Sequence, residues 1–414
     1  MSTPARLALL MLTVALANAA AAPAPTLQAL VDATPEGGTL RVPPGRHAGP
    51  LRLTRPITVD GGGRAQVVGD GHGHVVQVGG RDVTLRGLHI SASGDSHDRA
   101  DSGVLVQGQG HVIQDNRLDD VLFGIHLQGA SGTRVVGNQV RGKALPTGLR
   151  GDALRLWNSR GNLVQGNGFE RARDLTLINS PDNRLHDNRF DDGRYGLHVV
   201  FSPRLEATRN RLTRTGTGIV VLYSPEVRLL GNHVAHALTD GGAGIVVKES
   251  DGARLEGNEL LHNAVGLKLD APLEGRSRLQ VRGNHFAHNV VGLFFYGEAG
   301  AGDFADNRFS ANLTPVAVSA PGAGQGYRWR RNRWDDYQGF DRDGDGIGDQ
   351  PHDELLFADR IWMETPMAGF FRASPVLELL DLLERLAPFS APLRVVHDPQ
   401  PRVGAPSPTL ETSR

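Results

Sequence analysis

The residues with the most specific chemical spacing lie in Asp341-Arg-Asp343-Gly-Asp345-Gly346-Ile-Gly-Asp349. Carboxylates at positions 1, 3, 5 and 9 of this string, with glycine at 6, can wrap a hard cation in oxygen ligands, as the first part of an EF-hand loop does. The bidentate glutamate of that loop is missing. His352 stands in its place, and the adjacent Asp353 is the available substitute. Four aspartates this close repel one another without a cation, so structural Ca2+ at Asp341, Asp343, Asp345 and Asp349 is expected; the plainer alternative is an acidic turn in solvent. Softer donors occur elsewhere. Met363 and Met367, in Trp362-Met-Glu-Thr-Pro-Met367, present two thioethers, a donor type that suits Cu(I). Pro366 between them works against a helix that would bring them together, and ordinary apolar packing explains both equally simply. His126 and His198 sit at equivalent places in two similar strings and could ligate copper or carry a proton. A solvated sheet face with chance histidines is the simpler account of those two. The chain has no cysteine, which removes disulfides, thiolate nucleophiles and cysteine-based zinc or iron–sulfur sites.

The element that must hold these residues is a repeat. An asparagine returns within small/polar–Asn–x–apolar strings at positions 116, 138, 167, 188, 210, 232, 258, 284, 307 and 332, with intervals of 21 to 26 residues and one of 29. A second marker, a small residue followed by apolar–x–apolar, runs out of phase with it. It includes Gly124-Ile-His-Leu127, Ala153-Leu-Arg-Leu156, Gly196-Leu-His-Val199 and Gly266-Leu-Lys-Leu269. Each period thus carries short alternating strands divided by Gly, Asn and Asp turns. At about 3.3 Å per residue such a period closes one coil of three strands, and each strand then pairs with its copy in the next coil. The expected fold is all-β: a right-handed parallel β-helix of about ten or eleven coils over residues 75–334, with the asparagines Asn138 to Asn307 stacked at one turn. A leucine-rich repeat has a similar period, but it needs a helix in every unit, and Gly/Pro punctuation leaves no room for one.

Around that body the composition divides the chain. Residues 1–19 read as a secretory signal, with Arg6 ahead of an apolar run too short to span a bilayer and Ala17-Asn18-Ala19 as the cleavage pattern. Residues 20–74 form an N-terminal cap and irregular first coils, beginning with a short amphipathic helix at Leu27–Val31. The aspartate-rich loop occupies 335–354. An apolar segment follows over 355–395, with a leucine-striped helix starting at Ser374-Pro375. A Pro-rich disordered tail is expected over 396–414. Net charge is −1, so there is no broad attraction to nucleic acid or anionic lipid, and no stretch of the mature chain is a membrane span. A polysaccharide-active enzyme on this fold would need carboxylates clustered on one outer face, and the outward positions show no recurring aspartate.

Several longer strings carry a resemblance. Leu156-Trp-Asn-Ser159, Asp192-Gly-Arg-Tyr-Gly-Leu-His-Val-Val-Phe-Ser202, Gly218-Ile-Val-Val-Leu-Tyr-Ser224 and Asn332-Arg-Trp-Asp-Asp-Tyr337 are similar to the NosD family of periplasmic maturation factors for nitrous oxide reductase. So are the segments Asp341 to Asp349 and Asp359 to Leu386. The resemblance implies a non-enzymatic role. Such a protein works beside an ABC transporter permease and its ATPase, receives copper through a chaperone, and helps supply copper to the reductase for copper–sulfur cluster assembly. One departure accompanies it. Val200 and Leu222 stand where the family commonly has methionine, so any copper pathway through those methionines is weakened; either Met363 and Met367 compensate, with His126 and His198 as further copper candidates, or the surface guides partner docking only.

Overall fold

The computed structural model describes residues 25–239, 241–270, 278–297, 299–320, 322–356, 374–386 and 392–403. The expected signal segment 1–19, Met363 and Met367, and the last residues from 404 onward lie outside the described residues. Within them the chain winds into a parallel β-solenoid, and every strand pair of its main sheet is parallel. The first sheet is a row of twelve strands, from Leu51–Leu53 through Phe123–Ser131 and Arg189–Val200 to Thr314–Val318. The solenoid thus has about twelve turns and begins earlier than residue 75. Asp60-Gly61-Gly62-Gly63 reads as a turn, yet the strand Ile57–Val68 runs through it as a bend and pairs on both sides of it.

Alternation explains the core. In each strand every second side chain points inward, and the inward columns are apolar and fully buried: Leu197, Ile219, Ile245, Leu267 and Leu293 in one, Phe169, Phe190, Leu212, Val234, Leu260, Phe286 and Phe309 in another. The corner between the second and third sheets is built by the asparagines. Asn210 accepts from the backbone N–H and the Nδ2 of Asn188 (both 3.0 Å), while its own Nδ2 donates to Leu185 O (2.9 Å) and to Asn232 Oδ1 (3.0 Å). The same pattern runs from Asn116 to Asn332, one coil beyond the expected range at either end. The residue before each asparagine is left-handed, for example Gly166 at φ +64° and Gly231 at φ +60°, a conformation that costs glycine nothing. A serine ladder through Ser159, Ser180, Ser202, Ser224 and Ser250 pins a second corner.

Both ends are closed. Helix α1 (Leu27–Ala33), capped by Thr26 Oγ1, lays Leu27 and Val31 over the first coil. At the other end the core turns aromatic: Phe286, Phe309, Trp334 and His352 stack in sequence at 4.8, 4.3 and 4.5 Å. The strand His352–Leu356 pairs antiparallel with Leu393–Asp398. Residues 396–403, assigned to a disordered tail above, therefore belong to this closure, because the apolar pair Val395 and Val396 finds the end of the core. Helix α2 (Pro375–Leu386) leaves Val376, Leu379, Leu382, Leu383 and Leu386 exposed.

Candidate functional site

His126 and His198 do share the outward column of the first sheet. The register runs Leu105, His126, Arg155, Thr176, His198, Val220, Val246, Lys268, Phe294. Three strand spacings, about 14 Å, therefore separate the two histidines, and they cannot bind one ion. Their settings also differ. The segment 92–101 folds over His126, which is 6% exposed and lines a cavity of about 190 Å³ with His97, Arg99, Arg155 and Trp157. Neither ring nitrogen of His126 has a hydrogen-bond partner, and burial, aided by the Arg155 charge, pushes its pKa down to about 4. His198 is half-buried against Tyr195 at 5.0 Å. Between pH 6.5 and 4 the unfolded chain takes up a proton at position 126 that the folded chain refuses, so stability falls as pH drops through that window. His126→Gln is expected to flatten the unfolding midpoint against pH over this range; identical slopes for the two proteins would assign the acid sensitivity elsewhere.

Carboxylates do gather at the edge of this sheet, contrary to the sequence reading, but they are neutralised. Asp152 and Asp174 are buried on adjacent coils. Arg173 bridges them at 3.0 and 3.5 Å, and Arg194 closes on Asp174 while lying 4.4 Å over the Tyr195 ring. Burial raises the Asp152 pKa despite Arg173. Two arginines inserted among the acids make a structural network, with both carboxylates spoken for.

In the aspartate-rich loop, carboxylate oxygens of Asp341, Asp343 and Asp345 lie within 4.8 Å of one another. Asp341 accepts from the N–H of Gly344 (2.7 Å) and Gly346 (2.9 Å), and Asp345 from that of Ile347 (2.7 Å). Asp349 is not in that group; it accepts from Arg342 N at 2.9 Å. Nor is Asp353 free to replace the missing glutamate, since its carboxylate pairs with His397 (2.7 Å) and Arg394 (3.8 Å). Beside the loop, buried His352 meets Glu354 at 3.2 Å and Asp336 at 3.9 Å, a second group of three possible ligands.

A row of imidazoles that no strand-column pattern announces stands at the corner that follows the third sheet. His236, His262 and His288 stand on consecutive coils with parallel rings, their centroids 5.5 and 4.9 Å apart and tilted by only 5° and 8°. All three are exposed and left-handed, at φ +63°, +54° and +55°. The next residues hold the corner rigid: Asn263 Nδ2 donates to Asn289 Oδ1 (3.2 Å), and Asn289 Nδ2 to Asn312 Oδ1 (2.9 Å). Exposed Leu238, Val290 and Leu313 flank the row. On the strand side, His233 bonds to Glu259 (2.9 Å) and His285 to Ser310 (2.7 Å). The signal was present as Asn232-His-Val-Ala-His236, Asn258-Glu-Leu-Leu-His262 and Asn284-His-Phe-Ala-His288, spaced by 26 residues. It was hidden inside the structural asparagine marker.

Residues 136–339 match the family model of the periplasmic copper-binding protein NosD. The chain's central coils are those of the NosD family. The match agrees with the strings quoted above and takes in His198 and the imidazole row, while His126 and the loop at Asp341 to Asp349 lie outside it. No curated protein sequence matches this chain. Among solved structures it is similar to the A-module of the Azotobacter vinelandii mannuronan C-5 epimerase AlgE6, at 14% identity and a TM-score of 0.54 over 73% of this chain and 93% of that one. It is also similar to the periplasmic alginate epimerase AlgG, at 14% identity and a TM-score of 0.49 over 74% and 82% of the two chains. A mannuronic acid specific polysaccharide family 6 lyase from human gut microbiota shares 15% identity, with a TM-score of 0.47 over 72% and 81%. At 14% identity the likeness to the AlgE6 module shows the β-helix fold alone. Among the described residues no helix is long and apolar enough to cross a membrane.

Proposed function

We propose that this chain is the periplasmic accessory subunit that handles copper during nitrous oxide reductase maturation, acting with an ABC transporter permease and ATPase. The family match over the central coils is the observation that carries this reading. Copper is cargo here: it arrives from a chaperone and leaves for the copper–sulfur cluster. His126 and His198, too far apart for one ion, each offer a single imidazole, and Met363 and Met367 remain the thioether candidates. The chain itself performs no reaction, since its buried aspartates at the first sheet are tied to arginines. An N-terminal signal delivers it to the periplasm. Helix α2 supplies the seat for the permease, because an amphipathic helix with its leucines exposed buries that face by laying it in a partner's groove.

Leu382→Glu combined with Leu386→Glu is expected to leave the solenoid's melting temperature unchanged and to abolish co-purification with the permease, and the reductase should then lack its copper–sulfur cluster. A fully loaded reductase in cells without this protein would overturn the reading. So would cleavage or epimerisation of alginate or pectin by the purified chain, the activity of a polysaccharide-active β-helix.

The loop at Asp341, Asp343, Asp345 and Asp349 is proposed to hold structural Ca2+ through the first three carboxylates, with Asp349 swinging in. Loops of this kind bind with dissociation constants of about 0.1–1 mM. Adding a few millimolar calcium after chelation is therefore expected to raise the melting temperature by mass action. Asp343→Asn combined with Asp345→Asn should erase the rise, and no rise in the wild type would refute the site.

A further inference from the structure

The geometry points to His236, His262 and His288 as a track for monovalent copper, in which one ion is clamped between two neighbouring imidazoles and His262 serves both pairs. The inference rests on the copper-handling role proposed above and adds the place where this chain holds the ion.

Metal–imidazole bonds are about 2 Å long, so two nitrogens sharing an ion stand about 4 Å apart. The rings now stack with centroids 5.5 and 4.9 Å apart. Tilting two such rings towards each other closes the gap through side-chain rotation alone, because the asparagine ladder beneath them keeps the backbone in place. His236 and His288 are two coils apart, about 10 Å, so no pair forms without His262.

The number of donors selects the ion. Among the described residues, no third histidine or carboxylate groups with these rings at ligand distance. Zinc takes four ligands in nearly all structural sites and three protein ligands in catalytic ones. A closed-shell monovalent ion is content with two, and imidazole is a donor that copper accepts well. Two donors on an exposed corner also suit an ion that must be passed on. An ion between His236 and His262 moves to the lower pair by exchanging His236 for His288 while His262 stays bound, so it advances one coil along the axis without being released.

The same strands contain a control. His233 and His285 also lie two coils apart, but Glu259 stands between them and their ring nitrogens are already engaged with Glu259 and Ser310. They cannot form such a pair.

The test is an anaerobic Cu(I) titration of the purified protein in competition with bicinchoninate, with folding checked by thermal melting. His262→Asn keeps a residue that tolerates the left-handed backbone and is expected to weaken binding at least about tenfold, since loss of even an outer-shell partner costs about 10–100-fold. His236→Asn with His288→Asn, which leaves His262 alone, should do the same. His236→Asn by itself should keep one pair and most of the affinity, as should His233→Ala with His285→Ala. Copper binding unchanged in His262→Asn would overturn the track while leaving the copper-handling role standing. Equal losses in the His233/His285 variant would overturn it too. No Cu(I) binding by the wild-type protein would bring down both.

Discussion

Asn210→Ala is expected to destabilise the solenoid by about 4 kcal/mol, measured as a shift of the urea midpoint at constant slope. The side chain makes four hydrogen bonds in a fully enclosed corner. Alanine leaves the Asn188 N–H and one of its two Nδ2 protons buried without partners and takes one donor from the Leu185 carbonyl, and each orphaned group costs about 1–3 kcal/mol. Asn210→Asp restores the acceptor but loses the donor, so it should recover part of the loss at most. A cost below about 1 kcal/mol for the alanine variant would mean that water or a rearranged corner satisfies these groups, and the ladder would then be a consequence of the coil rather than its fastener.

Leu197→Asp carries the other large effect. Leu197 is 2% exposed and pairs with Ile219 in the wall of the core. Removing the side chain forfeits about 2–3 kcal/mol of burial, and an unpaired carboxylate in its place adds several more, for a total upward of about 5 kcal/mol. Val246→Asp makes the contrast, since that side chain points outward and is half-exposed; about 1 kcal/mol is expected there. Similar losses for the two would contradict the assignment of inward and outward faces.

Most of the scaffold could be read from the chain because a solenoid repeats its instructions. Leu197 faces inward and His198 outward on alternation alone, and the asparagines announce their own stack through spacing. The rest depended on what lies between the markers. Ile57–Val68 reads as two strands and a turn, and only pairing on both sides shows a single bent strand that adds a coil. His126 looks solvated by its column position, yet the ten-residue insertion over it removes water from both ring nitrogens. The strand Leu393–Asp398 sits among prolines that suggest disorder, and its partner, His352–Leu356, is some forty residues away. Asp353 was a plausible calcium ligand by adjacency until that pairing committed it to His397. The stacked imidazoles stand outside the strand columns, where side chains alternate, at a left-handed corner where His236, His262 and His288 recur once per coil inside the asparagine marker.

The asparagine ladder has a direction. Each side chain passes its N–H to the next asparagine towards the C-terminus, from Asn116 to Asn332, and the final donor is received by the fully buried carboxylate of Asp398 at 2.9 Å. A row of amide dipoles aligned head to tail has a positive end, as a helix does, and the carboxylate sits at that end. It has no N–H with which to continue the relay. The backbone beside it finishes the last edge as well, with Gln400 O receiving Arg331 N and Arg402 N giving to Asn332 O. An open coil here would present the unpaired strand edge that seeds polymers of identical chains. The chain's own C-terminal strand is thus a terminator, and the solenoid carries its stop signal at the one end where its hydrogen bonds still point outward.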